Sequence, residues 1–175
     1  SHAIEARSQV INLSLGGPPD PLLARLLRVA LDNGAVVVAA DRPGTRAGFP
    51  VDVPGVIVVG SGAAPGRVPA SITAPGEEIL VLTPGGGYDY SSGSSLSAAQ
   101  VSGIAALLLA KAPELSGADI GTLLAASQFE EHGFVNACRA LADLLDRSGC
   151  REPSTAVNEV LTQQLEADGK THDEL

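Results

Sequence analysis

Apolar positions along this chain alternate between two spacings. Val10-Ile11-Asn12-Leu13-Ser14-Leu15 is a short apolar run closed by Gly16-Gly17-Pro18, so Gln9 to Leu15 is predicted as a strand. Leu22, Leu23, Leu26, Leu27, Ala30 and Leu31 recur at helical spacing and predict a helix from Pro21 to Asn33, stopped at Asn33-Gly34. Ala35 to Ala40 is an unbroken Val/Ala run, the composition of a strand buried on both faces of a parallel sheet. Val56 to Gly60 reads as another strand, Ser71 to Ala74 and Ile79 to Leu82 as short ones, and Ala63 to Pro69 as a loop. Gly85-Gly86-Gly87 and Ser91-Ser92-Gly93 bracket Tyr88-Asp89-Tyr90. A long helix is predicted from Ser97 to Lys111, with Ile104 to Ala110 as its buried face. Another follows from Ser116 to Ala126, where Ser116 and Asp119 have capping-box spacing with Asp in place of Glu. Phe134 to Arg147 is predicted as one more helix. Strands and helices joined by short connections imply an α/β fold: a mostly parallel sheet flanked by helices, with Val10–Leu15, Ala35–Ala40 and Val56–Gly60 as its central strands.

Composition narrows the picture. With 45% hydrophobic residues, 3% aromatics and neither Trp nor Met, the core of this 175-residue chain must be built from Ala, Val, Leu and Ile. A net charge of −9 argues against nucleic acid or an anionic membrane surface as partner. No apolar run approaches the length of a bilayer span. The chain opens on Ser1 rather than Met and reads as a piece of a longer precursor. Residues 1–150 read as one domain. Residues 151–175 read as an acidic extension, in which Val157, Val160, Leu161 and Leu165 form either one weak amphipathic helix or part of a frayed tail. Cys138 and Cys150 flank a short helical pattern. They can bridge if the turn at Ser148-Gly149 folds the chain back, or stay as two thiols; a bridge favours a secreted or periplasmic setting. There is no CxxC and only His132 lies near the cysteines, so no metal site is expected. The triple glycine lacks the GK[ST] of a phosphate loop, and no cofactor is implied.

The chemistry concentrates in Gly93-Ser94-Ser95-Leu96-Ser97-Ala98-Ala99-Gln100-Val101-Ser102-Gly103, where a turn-permissive run delivers serine to the start of an apolar helix. Free N–H groups and the positive end of the helix dipole suit a nucleophile whose reaction builds negative charge on a neighbouring oxygen. Taken alone, the segment also fits Ser94 or Ser95 as a simple N-cap. A G-x-S-x-G elbow is excluded, because position 97 is Ser. Four segments then occur in one order: Val10 to Pro18, Gly34 to Ala40, Ile72-Thr73-Ala74-Pro75-Gly76, and Gly93-Ser94-Ser95. In order and spacing, residues 8 to 127 resemble the C-terminal, serine-bearing half of the catalytic domain of subtilisin-like serine proteases (subtilases). In that resemblance Ser95 matches the nucleophile.

The resemblance implies a serine endopeptidase acting on polypeptide through an acyl-enzyme. It places Ser14-Leu15-Gly16 on the strand that pairs with extended substrate, and Ala40, Asp41 and Arg42 at the primary specificity pocket. An unpaired Asp41 favours a basic side chain there; an Asp41–Arg42 pair removes that preference. In the family the chain order is Asp, His, Ser. His2, His132 and His172 lie in no segment like the family's histidine motif, so the base and its carboxylate are expected from an upstream fragment of the precursor. The family's oxyanion Asn has no counterpart in Ala40-Asp41-Arg42-Pro43-Gly44; Pro43 or its neighbour stands there, leaving the Ser95 N–H as the remaining donor. Gln100 and Ala99 replace the usual His and Pro at positions that support the helix. Two other classes stay open: a pseudoprotease that binds peptide without cleaving it, and a structural or assembly module whose acidic extension holds a partner.

Overall fold

The computed structural model describes residues 2–41, 48–62, 72–129 and 133–145. A short helix α1 (His2–Glu5), not anticipated from the sequence, precedes β1 (Val10–Leu13), α2 (Pro21–Asp32), β2 (Val36–Ala40), β3 (Ile57–Gly60) and β4 (Ile72–Thr73). Then come β5 (Ile79–Thr83), β6 (Gly87–Ser91), α3 (Ser94–Lys111), α4 (Gly117–Ala126) and α5 (Ala137–Leu144). The first four strands form one parallel sheet in the order β1-β2-β3-β4, with Leu13 opposite Ala39 and Ala40 opposite Val59. The fold is therefore the predicted α/β arrangement.

All five residues of β2 are buried, as its Val/Ala composition requires. Their faces alternate. Val37 packs with Leu27 of α2, Phe49 and Val53, while Val36, Val38 and Ala40 pack with α3 and α4 through Val101, Ala105, Leu108, Ile120 and Leu124. Pro at the first position and the Asp20 carboxylate, which accepts from the Leu22 and Leu23 N–H groups, start α2. Ser116 and Asp119 form the reciprocal capping box that opens α4. The outer edge of β4 is covered, since the Val135 N–H donates to the Thr73 carbonyl at 2.8 Å. Among the described residues the outer edge of β1 pairs with no strand.

Three expectations need correction. The strand at Gln9–Leu15 stops at Leu13, so Ser14-Leu15-Gly16 follows the strand rather than belonging to it. Tyr88-Asp89-Tyr90, to which the sequence pattern assigned no element, is extended. It lies in β6, antiparallel to β5, and the turn between them closes through the Gly86 N–H and the Thr83 carbonyl. Helix α3 begins three residues earlier than predicted, and its 104–110 stretch is not uniformly buried: Ala105, Leu108 and Leu109 face the sheet, but Leu107 is 52% exposed. By length and mean hydropathy (1.2) α3 is one helix apolar enough to cross a membrane; its buried face here packs on β1, β2 and β3. The predicted helix Phe134–Arg147 is shorter at its start, capped by Asn136, and residues 146–147 lie outside the described residues, as does the acidic extension.

Candidate active site

Parallel strands with right-handed helical returns bring their C-terminal ends to one edge of the sheet. The register that pairs Leu13 with Ala39 leaves Ser14 and Ala40 next in line at that edge. The start of α3 is pinned there by backbone and side-chain bonds from three directions. Gly93, at φ 152 and without a side-chain cap, supplies the helix N-cap, and its N–H donates to the Gly76 carbonyl at 2.7 Å. The Ser94 hydroxyl donates to the Asp41 carbonyl at 2.6 Å, across from the end of β2. The Ser14 hydroxyl donates to the Ser95 carbonyl at 3.2 Å, across from the end of β1, and itself accepts from the Asn12 amide at 3.2 Å.

These bonds dispose of the simple capping reading. Both Ser94 and Ser95 are inside the helix, and the Ser94 hydroxyl is spent on a segment 53 residues away. Ser95 sits exposed in the first turn, where the helix offers its N–H no acceptor. Ser97 is different again. Fully buried, its hydroxyl lies 3.0 Å from the Ala74 carbonyl and 3.1 Å from that of Pro75, and the Gln100 amide donates to Pro75 at 2.7 Å. Gly76 must be glycine: a Cβ there would run into Ser97, Ser61 and the Gly93 carbonyl. The loop after β4 is thus clamped to the N-terminal end of α3.

Ser14, Leu15 and Gly16 are all exposed, and the adjoining Gly17 exchanges backbone bonds with Phe49 at 2.9 and 3.1 Å. Ala40 is buried; Asp41 is half-buried, donates its N–H to the Val59 carbonyl and is engaged with a partner, so it does not present a free group. Arg42 and Pro43 lie outside the described residues, as do His132, His172 and Cys150. His2 is exposed on α1, and Cys138, exposed on α5, is disulfide-bonded. Among the described residues no group of His, Cys, Asp and Glu is arranged to hold a metal ion. Asn12, Ser97 and Gln100 were not picked out as site residues from the sequence. An asparagine interrupting an otherwise apolar strand was the available signal for the first.

The family model described as the subtilase family matches residues 1–140. The chain belongs to the subtilase family. It is 32% identical over 156 residues to subtilisin of Bacillus pumilus, covering 77% of this chain and 57% of that protein. With the major intracellular serine protease of Bacillus subtilis it shares 32% over 124 residues, 62% of this chain and 39% of that one. Among solved structures, the self-cleaved protease domain of PatA aligns with a TM-score of 0.68 at 27% identity, covering 85% of this chain and 66% of that domain. Fervidolysin from Fervidobacterium pennivorans, described as a keratinolytic enzyme related to subtilisin, aligns with a TM-score of 0.69 at 27% identity, over 80% and 27% of the two chains. The subtilase sequence here therefore spans a little over half of the first of these curated relatives and less of the other.

Proposed function

We propose that this chain is the nucleophile-bearing part of a serine endopeptidase, with Ser95 as nucleophile and the general base and its carboxylate supplied by a segment outside the 175 residues. The observation that carries the reading is an exposed serine in the first turn of α3, fixed at the sheet edge where β1 and β2 end. The Ser95 Oγ attacks a peptide carbonyl as its proton passes to a histidine of the complete protein, and the tetrahedral oxyanion meets the Ser95 N–H. Collapse expels the amine, which takes that proton, and water then releases the acyl group by the same route in reverse. Ser14-Leu15-Gly16 and Ala40-Asp41 flank the bound substrate backbone, and backbone pairing of this kind favours an extended, unfolded segment.

Without base and carboxylate, the chain alone hydrolyses no peptide. The lack of an asparagine in 40–44 supports a second reading, a subtilase retained for peptide binding with much reduced turnover. Residues 151–175 are read as a separate acidic extension. The disulfide at Cys138 supports a secreted or periplasmic setting. A fluorophosphonate probe on the full-length protein decides between the two readings. Labelling at Ser95, abolished in Ser95→Ala, supports the endopeptidase. Peptide binding without labelling supports the second reading, and labelling that survives Ser95→Ala refutes the assignment of the nucleophile.

A further inference from the structure

β1 reads Val-Ile-Asn-Leu, and asparagine is poorly suited to the middle of such a strand. It stands at the one exposed position of β1, so burial does not decide its residue type and its amide is available to a neighbouring group. Alternation along β1 puts Asn12 on the same face as Val10, which packs into the core cluster built on α3; Ile11 and Leu13 pack toward α2. On the α3 side, the Asn12 Nδ2 donates to the Ser14 Oγ at 3.2 Å, and the Ser14 Oγ lies 3.2 Å from the Ser95 carbonyl oxygen. A hydroxyl has one proton and two lone pairs. With a lone pair of Ser14 taken by the Asn12 amide, its single proton is directed to Ser95.

We propose that Asn12 is a positioning residue for Ser95, acting through Ser14: it sets the polarity of a two-step relay that holds the main chain of residue 95 against the end of β1. The proposal rests on the reading of Ser95 as nucleophile. It matters because the N-cap Gly93 makes no side-chain bond, so nothing in the ordinary capping repertoire fixes the first turn of α3. The direction of the Ser95 Oγ and N–H is set instead by bonds from outside the helix. The Ser14 bond is the one that acts on residue 95 itself, joining groups 81 residues apart. Losing it leaves the serine present but imprecisely aimed, which slows attack without weakening substrate binding.

The test uses the full-length protein, with kcat and KM measured on a peptide substrate and active sites counted by fluorophosphonate titration. Asn12→Asp keeps the size of the side chain but only accepts, so the Ser14 proton turns to the carboxylate and Ser95 loses its donor. The expected result is about a fivefold fall in kcat per titrated site, the effect of one ordinary hydrogen bond, with KM unchanged. Asn12→Leu, which offers the Ser14 proton no competing acceptor, falls by less than Asn12→Asp. In a Ser14→Ala background, Asn12→Asp causes no further loss, because the relay is already cut. Wild-type kcat in Asn12→Asp overturns the proposal. So do additive losses in the double variant, and so does a loss confined to the number of titrated sites, which marks a purely structural role. Labelling that persists in Ser95→Ala, or a wild type that labels nowhere, overturns the underlying reading as well. A protein labelled at Ser95 whose Asn12→Asp variant is kinetically silent overturns the relay alone.

Discussion

Replacing Gly76 by alanine probes how tightly the start of α3 is built. The added methyl runs into the Ser97 hydroxyl and falls 2.5 Å from the Ser61 Cβ and 3.0 Å from the Gly93 carbonyl oxygen. Relaxed carbon–carbon contacts are about 3.5–4.0 Å, so the approach to Ser61 is short by about an ångström. The Ser61 Cβ and the Gly93 carbonyl cannot rotate away. The Ser97 hydroxyl can, but it then leaves the Ala74 and Pro75 carbonyls inside the core, at about 1 kcal/mol. Overpacking of a filled site adds about 1–3 kcal/mol. The sum, about 2–4 kcal/mol, is a large share of the roughly 5–15 kcal/mol that holds a domain folded. Because the Gly93 N–H is bonded to the Gly76 carbonyl, the displacement also reaches the turn that carries Ser95. Urea denaturation of the full-length protein, followed by circular dichroism, should show a lower midpoint for Gly76→Ala at unchanged slope. Gly103→Ala is the matched control, an exposed helical glycine whose added Cβ meets nothing within 4 Å. A Gly76→Ala variant within about 0.5 kcal/mol of wild type would refute the overlap argument, since substitutions at unconstrained surface sites already scatter by that much.

Gly103→Ala itself is expected to raise stability by about 0.5–1 kcal/mol, through lower entropy of the unfolded chain, read as a higher urea midpoint. Hydrogen bonds from the Ser116 side chain and then its backbone hold the Asp119 carboxyl below its ordinary value. A depressed carboxylate pKa stabilises the fold above the unfolded value and loses that contribution as pH falls through the folded value, so the start of α4 should loosen only below about pH 4. Ser116→Ala should return the Asp119 titration, followed by NMR, toward the ordinary range. Leu80 and Tyr90, and Leu82 and Tyr88, pair across the β5–β6 hairpin with 55–73% of each side chain exposed. With the open edge of β1, this predicts that the 175-residue chain self-associates, and light scattering should show less association in Leu82→Lys/Tyr88→Lys. A clean wild-type monomer contradicts it. Alkylation of the unreduced protein should leave Cys138 unmodified, and reduction should expose it to the reagent.

What the chain discloses about its fold depends on how uniform each environment is. The run Ala35–Ala40 has no polar position, and only a strand covered on both faces accommodates that, so β2 and its neighbours were legible before any coordinates. Ser116-Asp119 places the start of α4 because capping is local chemistry, whereas the Asp20 cap of α2 was seen only in the structure. The hairpin was only half visible. Tyr88-Asp89-Tyr90 alternates without a buried side, and its pairing with β5 is decided by the register the turn sets rather than by burial. The end of β1 was overextended for a related reason. Leu15 looks like the next apolar position of the strand, but it is 54% exposed, and the strand has already ended at Leu13.

The site shows the same limit more sharply, in three serines within four residues. Ser94, Ser95 and Ser97 are chemically identical, and composition and spacing give no order of preference among them. Helical geometry separates them, because one residue turns the side chain by about 100°. From the first turn of α3 this sends the Ser97 hydroxyl into the core, where the carbonyls after β4 satisfy it. Ser94 is sent toward the end of β2, where the Asp41 carbonyl takes its proton. Ser95 is left at the exposed position, its carbonyl held by Ser14. A resemblance between motifs singles out the same residue, but for a reason that lies outside the chain. The physical reason lies within it: two of the three hydroxyls are committed to holding the helix start in place, and their commitment fixes where the third one points. On this account the Ser94 and Ser97 hydroxyls serve the orientation of Ser95, so removing either should disturb the site more than the loss of an ordinary surface serine.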